Sequence, residues 1–170
     1  MDVTLLIARV IVGLGIAAHG SQKLFGWLGG GGPTGSRGLF ERAGFEPGSF
    51  FATIAGLAEF GGGLLLALGL LGPVGPAMIV SVMITAMLSV HAPNGFFNSH
   101  HGIELPLVYA VNASVLAMTG PGRYSVDSAI HLLWMSGAYG ASIALVIGAA
   151  LALFAVGLRK PREVSRPAHV

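Results

Sequence analysis

Cysteine is absent from all 170 residues, which excludes disulfides, thiolate metal sites and thiol catalysis by this chain itself. Charge is scarce as well. Asp, Glu, Lys and Arg make up 9% of the chain, against roughly 25% in soluble domains, too few to coat a water-facing surface. No basic face interleaved with aromatics exists, so nucleic-acid binding is not expected. The start, Met1-Asp2-Val3-Thr4, lacks a basic leader, and no small-residue cleavage site ends a short apolar run. The first apolar segment is therefore expected to be retained.

What is there is apolar: 54% hydrophobic residues and a mean hydropathy of +0.78. A bilayer core needs roughly 20 apolar residues of helix, and about five segments approach that length. The expected fold class is an all-α integral membrane protein. The first helix runs from about Val3 to Leu28 and closes on the interfacial aromatics Phe25 and Trp27. A Gly-, Pro- and Ser-rich loop follows to Gly48, with one short amphipathic turn around Leu39, Phe40 and Phe45. The second helix spans Ser49 to Leu71 and the third Gly75 to Val90, stopped by His91-Ala92-Pro93-Asn94-Gly95. The fourth, Ile103 to Met118, covers only about 24 Å at 1.5 Å per residue. Ser125 to Ser136 reads as an interfacial helix with Ile130, Leu133 and Trp134 on one face. The fifth, Tyr139 to Leu158, contains no charge.

With five spans, the first long loop and the C-terminal tail share one side. That side collects Lys23, Arg37, Arg42, Arg159, Lys160, Arg162 and Arg166, against mainly Arg9 and Arg123 on the other. Lys/Arg bias then places the C-terminus in the cytoplasm. If the short fourth segment did not span, the N-terminus would move inside too.

Ionisable residues inside a bilayer are expensive, roughly 2.5–3.5 kcal/mol each on insertion scales. The first helix nevertheless carries Arg9, His19, Gln22 and Lys23, the second Glu59, and the fourth Glu104 and Asn112. Helical rise puts His19 and Asn112 about 12 Å, and Glu59 about 15 Å, below the same interface. His91, Asn94 and Glu104 sit near that rim. His19 and Lys23, four apart, share a face. The face of Glu59 holds Ala52, Ala55, Gly56, Gly62, Gly63 and Ala67, all small, so Glu59 should point into the bundle. A Lys23–Glu59 or His19–Glu59 pair is the expected electrostatic solution. Such a pair can serve only to fix helix register; the convergence of several polar residues in one half of the membrane argues for a ligand or partner site.

Other features carry less. Gly29 to Gly32 lack the strand and the Gly-Lys-Ser/Thr of a phosphate loop. His100-His101 reads as a solvated loop pair, and no metal site is expected. A haem between His19 and His91 is disfavoured because the two differ in depth. Arg9 is expected to snorkel to its interface, and Met78, Met83 and Met87 to be packing residues.

The stretches His19-Gly20-Ser21-Gln22-Lys23-Leu24-Phe25-Gly26-Trp27, Gly56-Leu57-Ala58-Glu59-Phe60-Gly61-Gly62 and His91-Ala92-Pro93-Asn94-Gly95-Phe96-Phe97 resemble the DoxX family of small bacterial membrane proteins. So do Gly102-Ile103-Glu104-Leu105-Pro106-Leu107 and Gly120-Pro121-Gly122-Arg123-Tyr124-Ser125-Val126-Asp127. The resemblance covers roughly residues 5 to 128. It implies a four-helix DoxX-type bundle over residues 1–128, to which this chain adds an interfacial segment and a fifth transmembrane helix (129–158), suited to docking a partner, and a basic tail (159–170). It singles out His19, Gln22, Lys23, Glu59, His91, Asn94 and Glu104. Where many members have Glu-Tyr-Pro, this chain has Glu104-Leu105-Pro106, so any role of that tyrosine hydroxyl is missing.

Relatives are associated with quinone-linked thiosulfate oxidation and with oxidative-stress assemblies at the membrane. The resemblance implies a bacterial inner-membrane subunit that binds a quinone or similar amphiphile in the half-membrane pocket and supports a redox partner. His19, Lys23 and Gln22 would donate hydrogen bonds to the ring oxygens, Glu59 or His91 would relay protons, and Glu104 would stand at the mouth. The alternatives are a non-catalytic scaffold subunit and a transporter of protons or small solutes. Whether the chain is itself an enzyme, and whether it self-associates, stays open.

Overall fold

The computed structural model describes residues 2–132 and 137–160. The chain is an all-α membrane protein. Its helices are α1 (Asp2–Leu24), α2 (Gly32–Arg42), α3 (Gly48–Leu68), α4 (Val74–Ala86), α5 (Glu104–Thr119), α6 (Val126–Ala129) and α7 (Ala138–Gly157). Four segments are long and apolar enough to cross a membrane, namely α1, α3, α4 with its continuation to Asn94, and α7; α5 is a shorter apolar helix. Outward faces such as Ile11, Val115 and Val146 are exposed, as lipid-facing residues should be.

The elements depart from expectation where backbone chemistry intervenes. α1 stops at Leu24, before the expected Leu28, because Gly26 takes φ +71, a conformation no α-helix contains. The amphipathic turn is a full 11-residue helix, α2, opened by Pro33 in its first turn. Past Ala86 the third span widens into a π-helical turn, Met87–His91. Of the expected interfacial helix the described residues contain the single turn α6; Leu133 to Ser136, with Leu133 and Trp134, lie outside the described residues, as do Arg162 and Arg166.

Helices in lipid gain no hydrophobic free energy from meeting each other, so close backbone approach must hold them. α1 and α3 achieve it through glycine. A Cβ on Gly63 would stand 2.5 Å from the Gly13 carbonyl and 2.6 Å from the Ala17 nitrogen, and one on Gly13 would meet the Gly63 carbonyl at 2.5 Å. α7 approaches α4 in the same manner, with Gly148 against the Ala77 carbonyl. Around these seams a core of Ile16, Leu66, Ile79, Met83 and Leu116 is closed to solvent.

The end of α7 returns to the segment that joins α2 to α3. Arg159 Nε donates to the Ala43 carbonyl at 2.7 Å, and the Lys160 amide to the Gly44 carbonyl at 2.9 Å. Lys160 Nζ also pairs with Glu46 at 2.6 Å, but both side chains are at least half exposed. Lys160→Ala should therefore cost less than about 1 kcal/mol of stability, checked by thermal unfolding in detergent.

The opposite end corrects one expectation. Arg9 does not snorkel; it is 1% exposed. Its Nη2 donates to the Tyr124 carbonyl at 2.6 Å, and the C-terminal ends of α3 and α5 lie around it. Those ends carry the negative pole of each helix, which stabilises a buried cation. Asp127, also 1% exposed, acts on Arg9 electrostatically while accepting the amides of Leu71 at 3.0 Å and Gly72 at 2.6 Å. Those two consecutive amides belong to a turn in which Leu71 holds φ +61, strained for a branched side chain. The block Gly120 to Asp127 is thus a staple joining the α3–α4 turn to the end of α5. Arg9 Nε and Nη1 have no hydrogen-bond partner among the described residues; a neighbouring cavity of about 10 Å³ is the size that holds one water.

Candidate functional site

Between α1, α3, α4 and α5, in the half of the bundle nearer α2, lies a cavity of about 240 Å³. α1 contributes Ile16, His19 and Lys23 to its wall, α3 Ala55 and Glu59, and α5 Pro106 and Tyr109. Leu39 and Phe40 of α2, with Phe45 just after it, cover the cavity from the interface side.

At its wall, Lys23 Nζ donates to Glu59 Oε2 at 2.5 Å. The Glu59 side chain is 5% exposed and that of Lys23 is 24%. Of the two expected pairings, Lys23–Glu59 is therefore the one formed. Small residues permit it: the space at Gly56 is filled by Leu24 and Lys23, so α1 lies close enough for Lys23 to reach across. His19 instead packs edge-on against the Tyr109 ring, with centroids 6.0 Å apart. His91 Nδ1 lies 2.6 Å from the His101 carbonyl. A carbonyl only accepts, so Nδ1 carries its proton there, and Nε2 of the neutral ring is the acceptor. The π turn that ends in His91 interrupts the regular helix beside the cavity, where such turns frequently serve function.

Four of the eight sequence-derived candidates, His19, Lys23, Glu59 and His91, therefore line one cavity. The other four do not. Gln22 donates to the Leu28 carbonyl at 3.1 Å and latches the turn after α1. Asn94 donates to the Val90 and His101 carbonyls, each at 3.3 Å. Glu104 accepts the Asn98 amide at 2.8 Å and so shapes the rim loop. Asn112 is exposed and bonds back to Val108 of its own helix at 2.8 Å. Its depth matches the cluster but its face does not, which depth arithmetic could not detect.

Sequence reasoning missed Tyr109, Thr85 and Ser89, which also line the cavity. Tyr109 had a signal: it follows Leu105 by four residues and therefore shares its face. A tyrosine hydroxyl thus stands one turn deeper than the Glu-Tyr-Pro position. Ser89 and Thr85 donate back to Thr85 and Ser81 carbonyls, so their hydroxyl protons are engaged. Met83, expected as packing, forms part of the wall too.

Toward the Arg9 end the cavity stops at an apolar layer. Ile16 and Ile79 are 0% exposed, and Arg9 lies about 15 Å along α1 from His19. Among the described residues no group of three His, Asp or Glu could hold a metal ion. The arrangement offers a salt-bridged ammonium, two imidazoles and a phenol around a chamber whose other walls are mainly apolar. That chemistry suits a small ring with polar oxygens.

Comparison with known proteins places these residues in context. A model of the DoxX family matches residues 4–92, just over half of the chain. That span includes His19, Lys23, Glu59 and His91, and stops short of Tyr109 and the Gly120–Asp127 staple. The uncharacterized membrane protein Rv3486 of Mycobacterium tuberculosis is 30% identical over 134 residues, covering 73% of this chain and 79% of its own. No solved structure matches the chain.

Proposed function

We propose for this chain, which belongs to the DoxX family, that its half-membrane cavity binds the ring of a quinone or a similar amphiphile and thereby supports a redox partner in the bacterial inner membrane. The observation that carries the reading is the Lys23–Glu59 pair facing a 240 Å³ chamber with apolar walls. Drug-sized ligands occupy roughly 300–1,000 Å³, so this chamber suits one substituted ring rather than a whole amphiphile. Lys23 and Tyr109 would donate to the ring oxygens, and His19 would hold the Tyr109 ring in place. Electrons would come from the partner. Glu59, through Lys23, and His91 at the rim would handle the protons that reduction requires. On this reading the side carrying α2 and the C-terminus is cytoplasmic, as the Lys/Arg bias favours.

Transport through the same cluster is a weaker reading, because the polar groups give way to the Ile16–Ile79 layer. A scaffold role is separated by experiment. Glu59→Gln keeps the side chain's shape but removes the charge that holds Lys23. Protein purified in mild detergent is extracted and its lipids measured by mass spectrometry. Stoichiometric quinone is expected in the wild type, reduced at least about tenfold in the variant, as loss of a charge-assisted bond implies. A wild type free of quinone, with co-purifying partners kept by both proteins, would establish the scaffold instead.

A further inference from the structure

A second cavity of about 110 Å³ lies between α3, α4 and α7, beside the first. The two share Phe40, Phe45, Ala55, Val82 and Thr85 in their walls, so the second adjoins the first across a common wall of side chains. Its remaining wall is Phe51, Ile54, Ala58 and Ala155, which are hydrocarbon or aromatic, with Ser81 as the one polar residue among them. Thr85 turns its hydroxyl back to the Ser81 carbonyl at 2.8 Å and adds no free donor. Elsewhere these helices touch backbone to backbone, and an unfilled apolar space among packed helices forfeits contacts on every side. One border of the space is fixed by the end of α7. The end of α7 is bonded to the carbonyls of Ala43 and Gly44, immediately before Phe45, which borders both cavities and is 3% exposed.

We propose that this second cavity takes the first segment of a single hydrocarbon tail, whose ring occupies the Lys23–Glu59 chamber. The ligand class is then a ring-headed amphiphile with one apolar chain, its remainder lying in the bilayer. α7 becomes part of the ligand site, through Ala155 and the clamp on residues 43–44, in place of a device only for docking a partner. The proposal rests on the ring-binding reading above.

Ala155→Phe fills the second cavity and leaves the lining of the first untouched. The probes are decylubiquinone and the tail-less dimethoxy-methyl-benzoquinone, titrated into the full-length protein in detergent. Decylubiquinone should bind the variant about tenfold more weakly than the wild type, as when a side chain occupies space a ligand needs, while the tail-less ring is unchanged. Ala155→Leu, a smaller intrusion, should show an intermediate loss. Unchanged decylubiquinone binding would overturn the tail site, as would equal losses of both probes in both variants. Equal affinities of the two probes for the wild type would mean that an ordinary phospholipid chain fills the space, which also overturns it. If neither probe binds the wild type, the ring-binding reading fails first and the tail site falls with it.

Discussion

Asp127→Ala is expected to destabilise the bundle by about 2–6 kcal/mol, the cost of leaving two buried backbone donors without their acceptor at roughly 1–3 kcal/mol each. Two losses add here. The Leu71 and Gly72 amides lose their acceptor, and Leu71 loses what holds it at φ +61. Arg9, 1% exposed, is left with only the Tyr124 carbonyl and the helix ends around it. Asp127→Asn should recover little, because an amide offers one acceptor oxygen where two backbone donors converge, and sets its own NH2 against the second. Combining Asp127→Asn with Arg9→Met should be less harmful than Asp127→Asn alone, since no buried charge then remains unpaired. Denaturant titration of the purified proteins in detergent measures all three. If Asp127→Ala shifts the midpoint no more than a surface substitution, the staple does not stabilise the fold.

The second large effect concerns the seam of α1 and α3. Gly63→Leu places a branched side chain where even a Cβ meets the Gly13 carbonyl at 2.5 Å. Overpacking in a core ordinarily costs about 1–3 kcal/mol because side chains can shift; here the obstacle is backbone, so the effect should reach or exceed the top of that range. Separating the helices would also pull Lys23 from Glu59, which lies about one turn from Gly63 on α3. Gly63→Leu should therefore yield little monodisperse protein, and Gly63→Ala a folded protein with weakened quinone retention. Size-exclusion profiles beside lipid extraction would test both. Normal retention in a folded Gly63→Leu protein would contradict the close-packed seam.

Much of this was legible in the sequence. Hydropathy and breakers located the long apolar segments, and the small-residue face around Glu59 foretold that it would point inward, toward Lys23. Legibility failed where the answer depended on rotation or on contacts distant in sequence. Asn112 stood at the right depth on the wrong face of a short helix whose apolar residues surround it on all sides, so periodicity could not orient it. Arg9 looked like an interfacial residue because the backbone group that holds it, the Tyr124 carbonyl, is 115 positions away in the chain. The π turn Met87–His91 has no sequence signature. The role of Phe45 as common wall of two cavities depends on α7 returning to residues 43 and 44.

The apolar layer formed by Ile16 and Ile79 has an electrical consequence. A unit charge crossing the whole membrane exchanges about 2.3 kcal/mol with a potential of 100 mV. A proton that reaches Glu59 from the α2 side stops near mid-depth, so it traverses only about half of that drop and exchanges about 1 kcal/mol. The energised state of the cell would thus alter protonation of the chamber by less than one power of ten. On the proposed reading, chemistry in the chamber would take its protons from, and return them to, a single aqueous compartment.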